Sequence, residues 1–289
     1  MKLWKYCASV LGIFLVLLLG YGTLIEPRLI LDEQHHTTAI PELGEEWEGT
    51  KVAFLADIQV GMWGTNTRMA EKAVERIVEE EPDVILLGGD FVYGDDPSTV
   101  DDAMSILQPI VDSGITTAAV LGNHDYEAHA EDELTAALES AGISVLLNEA
   151  LALSEPGDSA ADQLHVVGIG PARPGLDDPE AALTDLPESA PRVVMMHNPR
   201  TYTQLPAGSA PLSVAGHTHC GQIALPGTQD WSWMQMTKEE RVVAGGFAPP
   251  EHGEAGNQMF VTCGIGFSLI PVRIAAPPQI VFFDLTSAE

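Results

Sequence analysis

The pattern of apolar and polar positions divides the chain into three parts. Residues 6–25 form a run of 20 without a charged side chain, dense in Leu, Val and Ile. At about 1.5 Å per residue, a helix of that length spans roughly 30 Å, the thickness of a bilayer's hydrocarbon core. Residues 26–50, with Pro27, Pro41, Gly44 and Glu45-Glu46, show no sustained period and read as a linker. A regular alternation begins at Lys51. Residues 51–56 are β-prone. Residues 66–80 then place Met69, Ala73, Ile77 and Val78 at helical spacing, with Asn66 or Thr67 as N-cap. Residues 84–87 are a second apolar run, and Ser98 opens a helix with Val100, Met104, Leu107 and Val111 on one face. Residues 115–121 are again strand-like, and 131–141 helical. This order predicts an α/β fold with a buried sheet. Further strands are expected at 144–147, 151–153, 164–169, 192–196, 212–215, 259–263 and 280–285. Residues 226–257, containing Trp231, Trp233, Met234, Met236 and Phe247, read as a long irregular insertion.

Charge orients the first segment. Lys2 and Lys5 precede the apolar run, whereas Glu26, Arg28, Asp32 and Glu33 follow it. The positive-inside rule puts Met1 in the cytoplasm and the remainder outside the cytoplasmic membrane. An uncleaved single-pass anchor is favoured over a signal peptide, because the run is long and Gly20-Tyr21-Gly22 is a weak cleavage site. The 289 residues hold 42 Asp plus Glu against 13 Lys plus Arg, a net charge of −29. That excess excludes nucleic-acid binding, which needs a basic footprint. A hydrophobic fraction of 45% excludes disorder. A salt-rich habitat and a merely acidic exported protein account for the charge equally well. Cys7, Cys220 and Cys263 are too few for a disulfide framework; Cys220 and Cys263 would pair only if the loops holding them meet, and free thiols are the favoured state.

Candidate chemistry sits where the β-prone runs end. Five clusters follow one another: Asp57-Ile58-Gln59, Gly89-Asp90, Gly122-Asn123-His124-Asp125, His197-Asn198 and Gly216-His217-Thr218-His219. Each alone is weak, but together they supply ligands for two borderline-to-hard divalent cations. In open α/β sheets, sites lie at the carboxyl ends of strands.

The clusters resemble the calcineurin-like metallophosphoesterase pattern D-x-H, GD, GNH(D/E), H, GHxH over residues 50–286, with Gln59 in place of the first His. Residues 216–223, Pro271-Val-Arg273 and Pro277-Pro278-Gln279-Ile280 resemble a membrane-anchored bacterial branch. The resemblance implies an α/β fold, a four-layer α/β/β/α sandwich spanning 51–286 behind a single transmembrane helix at 1–25. It implies that Asp57, Gln59, Asp90 and His219 hold one metal, and that Asp90 bridges to a second completed by Asn123, His197 and His217. By the same resemblance, His124 faces the scissile phosphate and Asp125 orients its ring.

Two cations would clamp a phosphate and activate a water for in-line attack. Gln and neutral His carry the same charge, but an amide oxygen is the harder donor, which favours Mn²⁺ or Mg²⁺ over Zn²⁺ or Fe. The expected function is a phosphodiesterase or pyrophosphatase acting as a monomer on a lipid-linked or nucleotide-diphosphate ester. A UDP-acylglucosamine is one candidate suggested by resemblance, although such nucleotides are cytoplasmic. A catalytically weak metal-dependent binding or sensor protein is the alternative. Arg68 and Arg200 are candidate phosphate contacts because basic residues are scarce, and Trp63 is a candidate apolar rim. His35 and His36 are expected to be exposed, and His165 to face solvent.

Overall fold

The structure, a computed structural model, describes residues 2–96, 98–153, 163–225, 228–232 and 245–288; Trp233, Met234 and Met236 lie outside them. Helix α1 (Lys2–Gly20) runs through a π-turn at Tyr21–Ile25 into α2 (Glu26–Leu29). The helical stretch Leu3–Leu29 contains an 18-residue window of mean hydropathy 2.3 and is long and apolar enough to cross a membrane. Strands β1 (Asp32–Ile40) and β2 (Lys51–Leu55) follow, then α3 (Thr67–Glu79), β3 (Val84–Leu87), α4 (Thr99–Ser113), β4 (Thr116–Ala119), α5 (Asn123–Glu127), α6 (Glu131–Ser140) and β5 (Ser144–Val145). The second half contains β6 (Glu149–Leu153), β7 (Leu164–Ile169), α7 (Pro179–Leu183), β8 (Arg192–Met196), β9 (Ser213–Ala215), β10 (Ala224–Leu225), β11 (Thr228–Ser232), β12 (Gly246–Phe247), β13 (Met259–Val261) and β14 (Gln279–Ser287).

Two six-stranded sheets carry the domain. Their orders are β1-β14-β2-β3-β4-β5 and β12-β13-β9-β8-β7-β6. Strands β2 to β5 are parallel, as are β7, β8, β9 and β13. Side-chain alternation assigns the layers. Val52 and Phe54 point into a core shared with Val166, Val193, Met195, Val214 and Phe260 of the other sheet. Ala53 and Leu55 point the opposite way, onto Ala73, Val74, Ile77, Val100 and Leu107 of α3 and α4. The outer face of the second sheet, with Val167, Val194 and Met259, is covered by Ala182 of α7, Tyr202 and Leu205. The result is the four-layer α/β/β/α sandwich. Parallel strands buried on both faces explain the unbroken apolar run of β3.

Several expectations are corrected. Residues 26–50 are not a linker: β1 pairs in parallel with β14 over nine residues, Asp32 opposite Gln279 to Ile40 opposite Ser287. Its polar sequence suits an edge strand. His36 is half-buried, with its ring 5.0, 5.1 and 5.7 Å from those of Phe247, Phe260 and Phe283. His165 is buried, because both faces of β7 are covered. Cys220 and Cys263 are disulfide-bonded, since the loops after β9 and β13 meet. Part of the supposed irregular insertion is strand: β12 pairs antiparallel with β13.

Candidate metal centre

Each cluster occupies the loop that leaves the carboxyl end of a strand. Asp57 and Gln59 follow β2, Asp90 follows β3, Asn123 follows β4, His197 follows β8, and His217 and His219 follow β9. Five of these seven residues, Asp57, Gln59, Asp90, His217 and His219, have positive φ between 50° and 71°. Such backbone is costly for residues with a Cβ and collects at functional sites. Here it turns consecutive side chains into one cleft rather than alternating them across a sheet.

The donor atoms converge. Carboxylate and imidazole atoms of Asp90, His197 and His217 all lie within 4.8 Å of one another. His197 Nε2 is 3.2 Å from Asp90 Oδ2, and the His197 and His217 rings stand edge to face at 5.1 Å. Gln59 Nε2 is 3.2 Å from both Asp90 Oδ2 and His219 Nε2, and His219 Nε2 is 3.7 Å from Asp57 Oδ1. Six of the seven sequence-predicted ligands are thus brought together; the seventh, Asn123, follows Gly122 at the same strand ends and donates from Nδ2 to Glu127 Oε1 at 3.4 Å. Glycines admit the crowding: a Cβ on Gly216 would come within 2.6 Å of Asp57 Oδ2.

The donor chemistry fits cations. Eight buried side-chain polar atoms lack a hydrogen-bond partner among the described residues. Three of them, Gln59 Oε1, Asn123 Oδ1 and His197 Nε2, belong to the predicted ligands, and His197 Nε2 meets only the Asp90 carboxylate. Buried polar atoms are rarely left so. His197 Nδ1 donates to Gly88 O at 2.8 Å, which leaves Nε2 as the ligating atom. The first set is less ready. Arg273, fully buried, donates from Nη2 to His219 Nδ1 at 3.1 Å. A guanidinium only donates, so the proton of neutral His219 lies on Nε2, the atom that faces Asp57 and Gln59.

Proton affinities follow from the crowding. Burial, reinforced by Asp90, pushes the Asp57 carboxyl up to about 7. Burial would raise Asp90 too, but the His197 imidazole outweighs it and holds Asp90 well below the usual range. Burial opposes charge on His197, yet the attraction of Asp90 lifts it to about 10. Burial, and then the charge of His197, push His217 down to about 3. Burial and then Arg273 hold His219 well below its ordinary value.

The remaining candidates are placed as follows. The Asp125 carboxylate does not orient His124. It accepts from the backbone amides of Asp90, Val92 and Gly122 at 3.0, 3.0 and 2.8 Å, and so ties the loops after β3 and β4 together. The carboxylate that meets His124 is Glu127, whose Oε2 is 3.0 Å from Nδ1. Its i,i+3 spacing on α5 was the available signal. The Tyr93 ring packs on His124 at 4.6 Å. Arg68 is exposed and makes no hydrogen bond or ion pair among the described residues. Arg200 Nη2 holds the Ala172 carbonyl at 2.8 Å. Trp63 is 63% exposed and donates to Leu269 O. Two arginines were missed. Arg273 buttresses His219, and exposed Arg173 is near enough for its charge to lower His217.

Comparison with known proteins gives this geometry its family. Residues 50–221 match the calcineurin-like phosphoesterase family, and that span runs from β2 to the GHxH loop. The chain belongs to the calcineurin-like phosphoesterases. Phosphodiesterase YaeI of Escherichia coli is 30% identical over 237 residues, 81% of this phosphoesterase and 82% of YaeI. The uncharacterized metallophosphoesterase YkuE of Bacillus subtilis is 22% identical, covering 93% and 90% of the two chains. UDP-2,3-diacylglucosamine pyrophosphatase LpxG of Chlamydia trachomatis is 22% identical, covering 83% and 85%. The phosphoesterase is thus a metal-dependent hydrolase of phosphoric ester or anhydride bonds. The family uses divalent metals, and Asp90, His197 and His217 form a cluster suited to one.

Proposed function

We propose that this phosphoesterase is a membrane-anchored phosphodiesterase or pyrophosphatase that works outside the cytoplasmic membrane with two divalent cations. The observation that carries the reading is the cluster of Asp90, His197 and His217 ligand atoms within 4.8 Å of one another, beside the buried Gln59 Oε1 and Asn123 Oδ1 that have no hydrogen-bond partner. Bound there, the cations would supply an activated water and neutralise the charge of the phosphate. Asp57, Gln59, Asp90 and His219 would hold one cation, and Asp90, Asn123, His197 and His217 the other. His124, with Nδ1 on Glu127, would donate a proton from Nε2 to the leaving oxygen. Asp90 Oδ1 accepts the His124 amide at 2.8 Å, which fixes that residue against the bridging carboxylate. Exposed Arg173, whose charge acts on His217, joins Arg68 and Arg200 as a candidate phosphate contact.

Three observations support the finer points. The amide oxygen of Gln59 favours Mn²⁺ or Mg²⁺. The Cys220–Cys263 disulfide suits an oxidising compartment, in agreement with the orientation set by Lys2 and Lys5. The relatives named for a phosphodiesterase and for a diacylglucosamine nucleotide pyrophosphatase suggest a lipid-linked or nucleotide-diphosphate substrate. One observation favours a second reading: the hydrogen bond from Arg273 to His219 opposes binding at the first set, as in a metal-binding protein of low turnover.

Hydrolysis of bis(p-nitrophenyl) phosphate by the full chain in detergent decides between them. Turnover with Mn²⁺ is expected. His124→Ala should keep both cations and lose about 10²- to 10⁴-fold in rate. Two bound cations without turnover in Mn²⁺, Mg²⁺, Zn²⁺ or Co²⁺ would sink the hydrolase reading.

A further inference from the structure

The exit of the apolar helix is built into the corner of the domain that carries the metal loops. Arg273 N donates to Gly22 O at 2.8 Å, and a Cβ on Gly22 would come within 2.7 Å of Ile274 Cγ1. The buried Glu26 carboxylate accepts from the amides of Ala275 and Ala276 at 3.0 and 2.7 Å. Arg28 donates to Gly64 O and Thr65 O at 2.9 and 3.1 Å, and Asn66 Nδ2 to Pro27 O at 2.7 Å. Contact with the domain therefore begins at Gly22, within the last turn of the uncharged run.

The two loops that clamp this exit also push apolar side chains into the open. Trp63, Leu269 and Ile270 are 63%, 48% and 39% exposed. The Trp63 indole donates to Leu269 O at 3.0 Å, which joins the loops into one knuckle. Leu269 has φ 69°, a conformation that glycine or asparagine adopts at less cost. A leucine held about half exposed on strained backbone leaves apolar surface in the open that nothing in the fold covers. The knuckle continues the exposed apolar surface of Leu24, Ile25, Leu29 and Ile30. Exposed Arg28 and Arg68 adjoin its first loop in a chain of net charge −29. Gln222, three residues after His219, accepts from Ser268 N and donates to Ile270 O, each at 2.7 Å. Gln222 thus ties the knuckle to the loop that carries His219.

We propose that the Trp63–Leu269–Ile270 knuckle seats in the interfacial layer of the bilayer that the N-terminal helix crosses, and so presents the metal cleft to phosphoesters at headgroup depth. This rests on the anchored-hydrolase reading and deepens it: the substrate is an amphiphile whose phosphorus lies at the membrane surface. Indole rings favour that layer, and the apolar anchor already fixes the domain beside it. Guanidinium groups at the rim complement headgroup phosphates.

The test uses the full chain in nanodiscs of zwitterionic phosphatidylcholine with acyl chains brominated at different depths. Comparison with Trp4→Phe and Trp63→Phe variants isolates each emission. Quenching of Trp63 by shallow bromines, together with quenching of Trp4, is expected. Quenching of Trp4 without Trp63 overturns the knuckle and leaves the anchor standing, whereas quenching of neither overturns both. A Trp63 shielded from bromolipid and from aqueous acrylamide has a second copy or a protein partner over it, which also overturns the proposal. In a second arm, Leu269→Gly/Ile270→Ser should lower kcat/KM at least tenfold for phosphatidyl-p-nitrophenol in the disc and leave bis(p-nitrophenyl) phosphate turnover unchanged. An equal change on both substrates refutes membrane seating.

Discussion

Replacing the disulfide by Cys220→Ala/Cys263→Ala should destabilise the domain by an amount that loop closure sets. The two cysteines lie 43 residues apart. Closing a loop of that size removes about 13 cal/mol/K from the denatured ensemble, or about 4 kcal/mol at 25 °C. With a urea slope of about 3 kcal/mol/M for a domain of this size, the unfolding midpoint should fall by about 1.3 M. The effect should extend to the cleft. Cys220 adjoins His219, and the Cys263 carbonyl accepts from the same Arg273 guanidinium that holds the His219 ring. The bond also ties the loop of His217 and His219 to the loop after β13, and loss of that tie should weaken Mn²⁺ binding alongside the stability loss. Urea titrations followed by tryptophan emission, on the detergent-solubilised full chain with and without Mn²⁺, read both effects. A midpoint shift below about 0.3 M would refute the loop-closure reasoning. Alkylation of all three cysteines in the unreduced denatured chain would show that the bond is not made.

Two further predictions concern the cleft. Cation binding needs neutral His197, lifted to about 10, and ionised Asp57, raised to about 7. Mn²⁺ affinity should rise about tenfold per pH unit between 7 and 10 and more steeply below 7, as the second proton adds its share. Calorimetry in buffers of different ionisation enthalpy counts the protons released, and an affinity independent of pH would contradict the assignment. Gly122→Ala should abolish binding of the bridged cation with little change in far-ultraviolet circular dichroism. A Cβ there would collide with Asp90 Oδ1 and lie 2.5 Å from Asp90 N.

The parts of the molecule legible in the sequence are those with a local cause. Val84 to Leu87 reads as a buried strand because both faces of the sheet are covered, and Asp90 follows it because parallel strands end in their loops. The ligand clusters were visible for the same reason. What escaped depended on distant partners. The sequence Asp32–Ile40 is polar and looks like a linker until β14, more than 240 residues later, pairs with it. Cys220 meets Cys263 only because β9 and β13 are neighbours. The position of Asp125 suggested a hold on the adjacent His124, yet three amides from two loops claim its carboxylate. Arg273 appeared as part of a resemblance, and only the fold shows its guanidinium against His219.

The place of β14 in its sheet has a consequence for how the molecule is made. It lies between β1 and β2 and is synthesised after every other strand described. Until β14 has emerged, β2 keeps one side unpaired and β1 lacks its strand partner, so the first sheet cannot close before then. Such non-local pairing is slow and leaves strand edges open to wrong partners. The nascent chain would stay unfinished and pliable, and would become a rigid body only when the stretch Gln279–Ser287 arrives to join β1 to β2.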